Sequence, residues 1–275
     1  MLLRYPGGKA KIYPIVKNII EQNNLFEKTY CEPFSGGFGL GLKLLLKGDV
    51  KKAIINDFDI HISSFWMSVF SHTKKLIDKI RTTEISINEW HIQKAIYNNP
   101  DEKKYSILDI GFSTLFLNRT NFSGILMSGP IGGYKQTGKY KMDCRFNKEL
   151  IISQIQKIAK YKKNVKVYRL DAVRLLRKLK NIEQEIFYNF DPPYVKKGEE
   201  LYMNFFEEKD HVKLKMEIEK VRAKWIMTYD NDKLIIDLYK KYKPKEFNLS
   251  YTVSSKRIEK ELMISNLKVL KVASA

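Results

Sequence analysis

Short apolar runs alternate with helix-period stretches through most of the 275-residue chain. Thr29-Tyr30-Cys31-Glu32 reads as a first strand, and a Leu-rich helix through Leu46 follows it across a glycine-rich turn. Ala53-Ile54-Ile55-Asn56 reads as a second strand and ends at Asp57. The rhythm returns in the later half. Val165-Lys166-Val167-Tyr168 is a strand, followed by Asp171 and a helix carrying Leu175, Leu176 and Leu179. Residues 186–190 are apolar enough for a strand buried on both faces, residues 212–221 form an amphipathic helix, and Trp225-Ile226-Met227-Thr228 is another strand. Strands alternating with helices predict an α/β fold with a parallel sheet. Two late strands, near 247–253 and 261–266, predict an antiparallel edge.

The middle of the chain breaks this rhythm. Phe65, Val69, Leu76 and Ile80 recur at helix spacing, and the helical pattern continues through residues 106–117. A glycine-rich, basic and aromatic loop then occupies residues 124–145. The reading is a catalytic domain made of residues 1–58 and 162–275, with residues 59–161 inserted as a recognition domain.

Composition narrows the partners. Lys+Arg 50 against Asp+Glu 31 gives a formal charge of +19, which predicts a polyanion. Nucleic acid fits better than membrane, because neither a long uncharged apolar stretch nor a signal peptide is visible. Cys31 and Cys144 lie far apart, and His61, His72, His91 and His211 form no cluster with them. Free thiols, a reducing compartment and no metal site are expected.

Candidate chemistry gathers at four places. Asp191-Pro192-Pro193-Tyr194 follows the apolar run at 186–190. Neither proline has a backbone N–H to donate, so this turn offers carbonyls, a carboxylate and a flat aromatic face. Such a pocket suits the exocyclic amino group of a base. Gly36 and Gly37 stand about twenty residues before Asp57, a spacing that lets backbone approach a nucleoside while the acid takes its ribose hydroxyls. Phe38 interrupts the dinucleotide fingerprint, so a ligand without pyrophosphate fits better than a nicotinamide cofactor. At the start of the chain, Arg4-Tyr5-Pro6-Gly7-Gly8-Lys9 places two glycines beside a lysine that can pair with a carboxylate. Finally, Asn118-Arg119-Thr120-Asn121 ends a helix, and Lys135, Lys139, Lys141 and Arg145 follow, interleaved with Tyr134 and Tyr140. Arg and Asn side chains read base edges, and Lys holds phosphates, so Asn118, Arg119, Asn121, Lys135, Lys139 and Arg145 are the candidate nucleic-acid contacts.

Taken together, these strings resemble the Dam-like (D12 class) DNA adenine-N6 methyltransferases over nearly the whole chain. Tyr5-Pro6-Gly7-Gly8-Lys9 is similar to the family's first cofactor segment, with Tyr5 where Trp is usual. Glu32-Pro33-Phe34-Ser35-Gly36 is similar to its glycine loop, Asn56-Asp57 to its ribose-binding acid, and Asn118-Arg119 with Phe122-Ser123-Gly124 to its recognition signature. Asp191-Pro192-Pro193-Tyr194 resembles the catalytic motif in its adenine variant. Phe38 departs from the pattern, standing where a second glycine is usual. The resemblance implies a Rossmann-like methyltransferase sheet of parallel strands with an antiparallel edge, and an inserted, mainly helical DNA-recognition domain. It also implies S-adenosylmethionine as cofactor. Tyr5 and Lys9 would touch its methionine end, Asp57 its ribose and the segment at Asp171 its adenine. Glu32, Phe34 and Gly36 would belong to the glycine loop around it, and Asp191 would border cofactor and target. No metal is implied.

The expected reaction is methylation of the N6 amino group of an adenine flipped out of double-stranded DNA. Asp191 and the Pro192 carbonyl accept the two N–H bonds, and Tyr194 stacks on the base against an unstacking cost of a few kcal/mol. A monomer in the cytoplasm of a bacterial or phage-infected cell is expected, with a cognate restriction endonuclease as a further partner. Three rivals stay open on sequence alone: an RNA adenine methyltransferase, a cytosine-N4 enzyme and a non-catalytic DNA-binding module.

Overall fold

The computed structural model describes residues 2–4, 8–195, 206–252 and 256–268. In chain order its elements are α1 (Tyr13–Gln22), β1 (Thr29–Glu32), α2 (Gly39–Lys47), β2 (Lys52–Asn56), α3 (Ile60–Ser71), α4 (Thr73–Thr82), α5 (Ile87–Asn98), α6 (Ile107–Thr120), α7 (Lys148–Ala159), β3 (Val165–Tyr168), α8 (Ala172–Leu179), β4 (Ile186–Phe190), α9 (Glu208–Ile218), β5 (Lys224–Asp230), α10 (Lys233–Leu238), β6 (Lys245–Thr252) and β7 (Lys256–Ser265). The chain divides into two compact units, Met1–Pro6 with Asp59–Arg169, and Gly7–Phe58 with Leu170–Ala275.

The second unit carries the strand order β2-β1-β4-β5-β7-β6. β1 pairs in parallel with both β2 and β4, and β4 with β5. β7 runs antiparallel to β5 and to β6, which makes the expected antiparallel edge. All five residues of β4 are buried, as are six of the seven in β5. Parallel strands covered on both faces need apolar side chains at every position, which explains runs without alternation. Phe187, Tyr188, Phe190 and Trp225 are among the largest fully buried side chains. Each contributes about 1.5–3 kcal/mol or more through removal of apolar surface from water. β5 extends to Asp230, two residues past the apolar run that marks it in the sequence.

The first unit is mainly helical. The helix-period stretch from Phe65 to Ile80 is two helices rather than one, because His72 leaves helical backbone angles between α3 and α4. Phe65, Val69, Leu76 and Ile80 all enter its core. α6 starts at a capping box in which the Ser106 and Asp109 side chains each accept from the other's backbone N–H. This unit also claims the first residues of the chain. The Asn118 amide brackets Arg4, accepting from its backbone N at 2.7 Å and donating to its carbonyl at 2.9 Å. The unit runs on to Arg169, past residue 161, because β3 packs on α3. No helix among the described residues is long and apolar enough to cross a membrane.

Candidate active site and recognition loop

Strand order reverses in direction of growth between β1 and β4: one leads outward to β2, the other to β5. The carboxyl ends of strands flanking such a switch point open a crevice. Here β1 delivers the loop Pro33–Phe38, β4 delivers Asp191–Tyr194, and β5 delivers Thr228 and Asp230.

The glycine loop is held by its own backbone and by two side chains. Ser35 N donates to the Asn56 carbonyl at 2.9 Å, Phe38 N to the Ser35 carbonyl at 2.7 Å, and Gly36 N to Asp57 Oδ2 at 2.8 Å. Phe38 takes a left-handed conformation, φ 44° and ψ 32°, which bulky residues rarely adopt. Its buried ring lies where a side chain at position 41 would go: a Cβ there would stand 2.2 Å from Phe38 Cε2. The departure at Phe38 is therefore matched by a glycine three residues on, which makes room for the ring.

Glu32 supports this loop from within. Its Oε1 accepts from the Tyr30 hydroxyl at 2.8 Å and from Gly41 N at 3.1 Å, and the Tyr30 oxygen accepts from Asn189 Nδ2 at 2.9 Å. Burial pushes the Glu32 carboxyl up to about 8; the Asp191 charge adds to the rise, and the bonds from Tyr30, Gly41 and Asn189 oppose it. Expected among the cofactor contacts, Glu32 is buried and braces the start of α2 through Gly41. Asn56 is a second brace, named in the sequence only as the neighbour of Asp57. Its Nδ2 donates to the carbonyls of Pro33 and Leu170, at 2.8 and 2.9 Å, and its Oδ1 accepts from Leu170 N at 3.0 Å. It thus ties the glycine loop to the turn before Asp171. The available signal was a buried amide at the end of an apolar strand.

Asp171 caps α8, its Oδ1 accepting from Val173 N at 3.0 Å and Arg174 N at 3.3 Å. A small groove beside it is lined by Val173, Phe206, Asp210, Lys213 and Leu214 as well as Asp171. Phe206 meets the Phe34 ring edge-on at 5.9 Å between centroids. Ser35 Oγ is buried in the loop with no hydrogen-bond partner among the described residues.

Asp191 is the hub of the site. Its Oδ1 accepts from the Thr228 hydroxyl at 2.8 Å and lies 3.1 Å from Lys9 Nζ. Lys9 is buried, donates to the Tyr194 hydroxyl at 2.6 Å, sits 4.8 Å from the Tyr194 ring centroid and approaches Glu261 Oε2 at 3.8 Å. Expected at the methionine end of a cofactor, Lys9 here directs its ammonium to the tetrapeptide. Val195 N donates to Asp230 Oδ1 at 3.2 Å, holding the tetrapeptide's exit. Pro192 and Tyr194 are buried and Pro193 half-buried. Behind them His211 Nδ1 is 2.8 Å from the Tyr229 hydroxyl, and burial lowers the imidazole's basicity. Tyr5 lies outside the described residues.

The family model of D12 class N6 adenine-specific DNA methyltransferases matches residues 5–253. The chain belongs to this family. It is also similar to the Type II methyltransferase M.MjaIII of Methanocaldococcus jannaschii, 27% identical over 205 residues that make up 70% of this chain and 68% of the relative. The chain is accordingly a DNA adenine methyltransferase, with DNA as substrate and a methyl donor as cosubstrate.

The methyltransferase's helical unit holds the remaining candidates. Asn118 and Asn121, expected to read bases, are buried. Besides bracketing Arg4, Asn118 donates to the Gly124 carbonyl at 2.8 Å. Asn121 Oδ1 accepts from Trp90 Nε1 at 2.7 Å, while Nδ2 faces the carbonyls of Ile125, Leu126 and Ser128 at 3.0, 3.0 and 2.8 Å. Both amides shape the loop after α6 rather than face a ligand. Arg119 is half-buried, with Nε and Nη2 donating to the Leu2 carbonyl at 2.9 and 2.5 Å. Burial, with Arg4 nearby, lowers its guanidinium to about 10, still charged at neutral pH. Gly124 needs to be glycine twice over: its φ is +76°, and a Cβ would stand 2.9 Å from Arg4 Cβ. Lys135, Lys139, Lys141 and Arg145 are exposed, and so are Phe122, Met127, Tyr134 and Tyr140. The loop thus has buried asparagines within and cations and aromatics without.

Proposed function

We propose that this methyltransferase transfers a methyl group from S-adenosylmethionine to the N6 amino group of an adenine flipped from double-stranded DNA at a specific site. The observation that carries the reading is Asp191. It stands at the carboxyl end of β4, 22% exposed, with Oδ1 engaged by Thr228 and Lys9 and no hydrogen bond to Oδ2 among the described residues. A carboxylate with one oxygen fixed and one open accepts an N–H in a defined direction.

The glycine loop with Phe34 and Gly36, Asp57 and the Asp171 groove would hold the cofactor, which supplies an electrophilic sulfonium methyl when bound. Asp191 and the Pro192 carbonyl accept the two amino N–H bonds. That pairing draws the nitrogen towards a tetrahedral form and aims its lone pair, which in free adenine is delocalised into the ring. The acceleration then comes from positioning and from preorganised acceptors. The Tyr194 ring supplies a stacking face for the extruded base. On the helical unit, exposed Lys135, Lys139 and Arg145 hold phosphates, and Arg119, set by its Leu2 contact, takes part in recognition.

The relative's description as a Type II methyltransferase supports pairing with a restriction endonuclease. The proposal includes action as a monomer in the cytoplasm. The test is transfer of labelled methyl groups from S-adenosylmethionine to unmethylated genomic DNA, with RNA in parallel, followed by nucleoside mass analysis and site mapping. N6-methyladenine in DNA at one repeated motif is the expected result. Label confined to RNA, or scattered over adenines without a motif, would overturn the substrate or the site-specificity respectively.

A further inference from the structure

We propose that the Thr228 hydroxyl is a positioning group for methyl transfer: by donating to Asp191 Oδ1, it orients the carboxylate so that Oδ2 takes an N–H of the target amino group. The inference rests on the reading of Asp191 as the acceptor of that amino group.

Four observations carry it. Thr228 is completely buried, and its hydroxyl donates to Asp191 Oδ1 at 2.8 Å. Its place is fixed by the sheet: Phe190 registers with Met227 in the parallel β4–β5 pair, so Thr228 stands beside the residue that follows Phe190. Two residues on, and so on the same face of the strand, Asp230 holds Val195 N at 3.2 Å. β5 therefore braces both ends of the tetrapeptide, Asp191 by a side-chain donor and Val195 by a side-chain acceptor. Lys9 meets the same Oδ1 that Thr228 meets, so both donors act on one oxygen.

The physical need is specific. The last torsion of an aspartate is broad, and a carboxylate without a local donor turns readily. Threonine's branched Cβ restricts its own first torsion, so its hydroxyl is aimed before the substrate arrives. Misplacing a reacting group by a fraction of its contact distance costs rate without costing binding.

The test compares Thr228→Val, which keeps branching and volume but lacks the donor, with Thr228→Ser, which keeps the donor. Single-turnover methylation of unmethylated genomic DNA is measured beside KM for DNA, calorimetric affinity for S-adenosylmethionine and melting temperature. The Asp191 carboxylate torsion is read from a crystal structure of Thr228→Val. The single-turnover rate of Thr228→Val should fall roughly tenfold to hundredfold, with KM, cofactor affinity and melting temperature unchanged. Its Asp191 carboxylate should be rotated, and Thr228→Ser should recover most of the rate. A Thr228→Val enzyme as fast as the native one, beside an inactive Asp191→Ala enzyme, would remove the positioning role and leave the pocket reading intact. An active Asp191→Ala enzyme would sink both. Failure of Thr228→Ser to recover the rate, or loss of cofactor affinity in Thr228→Val, would make Thr228 a structural residue and overturn the inference.

Discussion

The loop after β4 and the loop after α6 engage polar side chains in opposite ways. At the end of β4 the polar groups turn on one another: Lys9, Thr228 and Asp191 form one cluster, and Asp230 closes the far side at Val195. After α6 the asparagines are turned inward to backbone carbonyls, while the lysines and tyrosines point outward. The first arrangement defines the direction of a few acceptor atoms. The second offers a firm base for a surface whose charges are exposed to solvent. Chemistry that depends on aim is built from interlocked side chains; attraction of a polyanion needs only charge in roughly the right place.

The largest effect should come from the first region. Asp191→Asn keeps shape but exchanges an acceptor-only carboxylate for a group that also donates. Turnover should fall by roughly 10²–10³, the scale set by losing one preorganised polar group at a reacting atom. DNA affinity and its salt dependence should stay as in the native protein, measured by fluorescence anisotropy over a salt series. If Asp191→Asn weakened DNA binding and left turnover per bound complex unchanged, the division of labour between the two loops would be wrong.

How far the sequence carried this picture follows from what each signal measures. β1, β3 and β4 are legible to the residue because each is a short run rich in strand-favouring residues. β5 is legible only in part: its last residues, Tyr229 and Asp230, are polar, yet they are the end that serves the site. The tetrapeptide announces itself by its prolines. Thr228 and Asn56 do not, because a threonine in a strand and an asparagine at a strand's end have many ordinary uses. Only the sheet register brings them to Asp191 and to Pro33. The opposite error affects Asn118 and Asn121. Asparagine suits base edges and loop carbonyls equally well, and burial decides between them. Phe38 was legible as a departure, but its compensation by Gly41 depends on where the ring lies.

Next in size are changes to the frame of the second loop. Asn121→Ala would leave the buried Trp90 Nε1 and carbonyls of the loop without their partner. Each unsatisfied buried group costs about 1–3 kcal/mol, so chemical denaturation should show a loss on that scale. The salt slope of DNA binding should hardly change, because no cation is removed.

Glu32 tests the frame of the first loop by pH. An unfolded glutamate releases its proton near 4.5, whereas the buried Glu32 carboxyl keeps it to about 8. Below the unfolded value both states are protonated and this contribution to stability is fully present. As pH rises through the folded value the carboxyl must ionise in a buried site, and the contribution is lost. Glu32→Gln keeps an acceptor for Tyr30 and Gly41 and does not titrate. Between about pH 5 and pH 9 its unfolding free energy should therefore fall less than the native protein's. Parallel curves would mean that Glu32 ionises normally.

The smallest effect should come from a single exposed cation, and it is the sharpest contrast with Asn121. Lys139 is exposed, with Nζ 5.8 Å from the centroid of its neighbour Tyr140. Its removal leaves no buried group unpaired, so Lys139→Ala should change stability by no more than about 0.5 kcal/mol. A lysine that meets one phosphate releases about one counterion. The slope of log affinity against log salt should thus become shallower by about 0.9, with turnover at saturating DNA unchanged. Asn121→Ala should do the reverse, lowering stability at constant slope. If both variants moved the slope together, the loop's shape and its charges would act as one element, and buried asparagines and exposed lysines would no longer be separable roles.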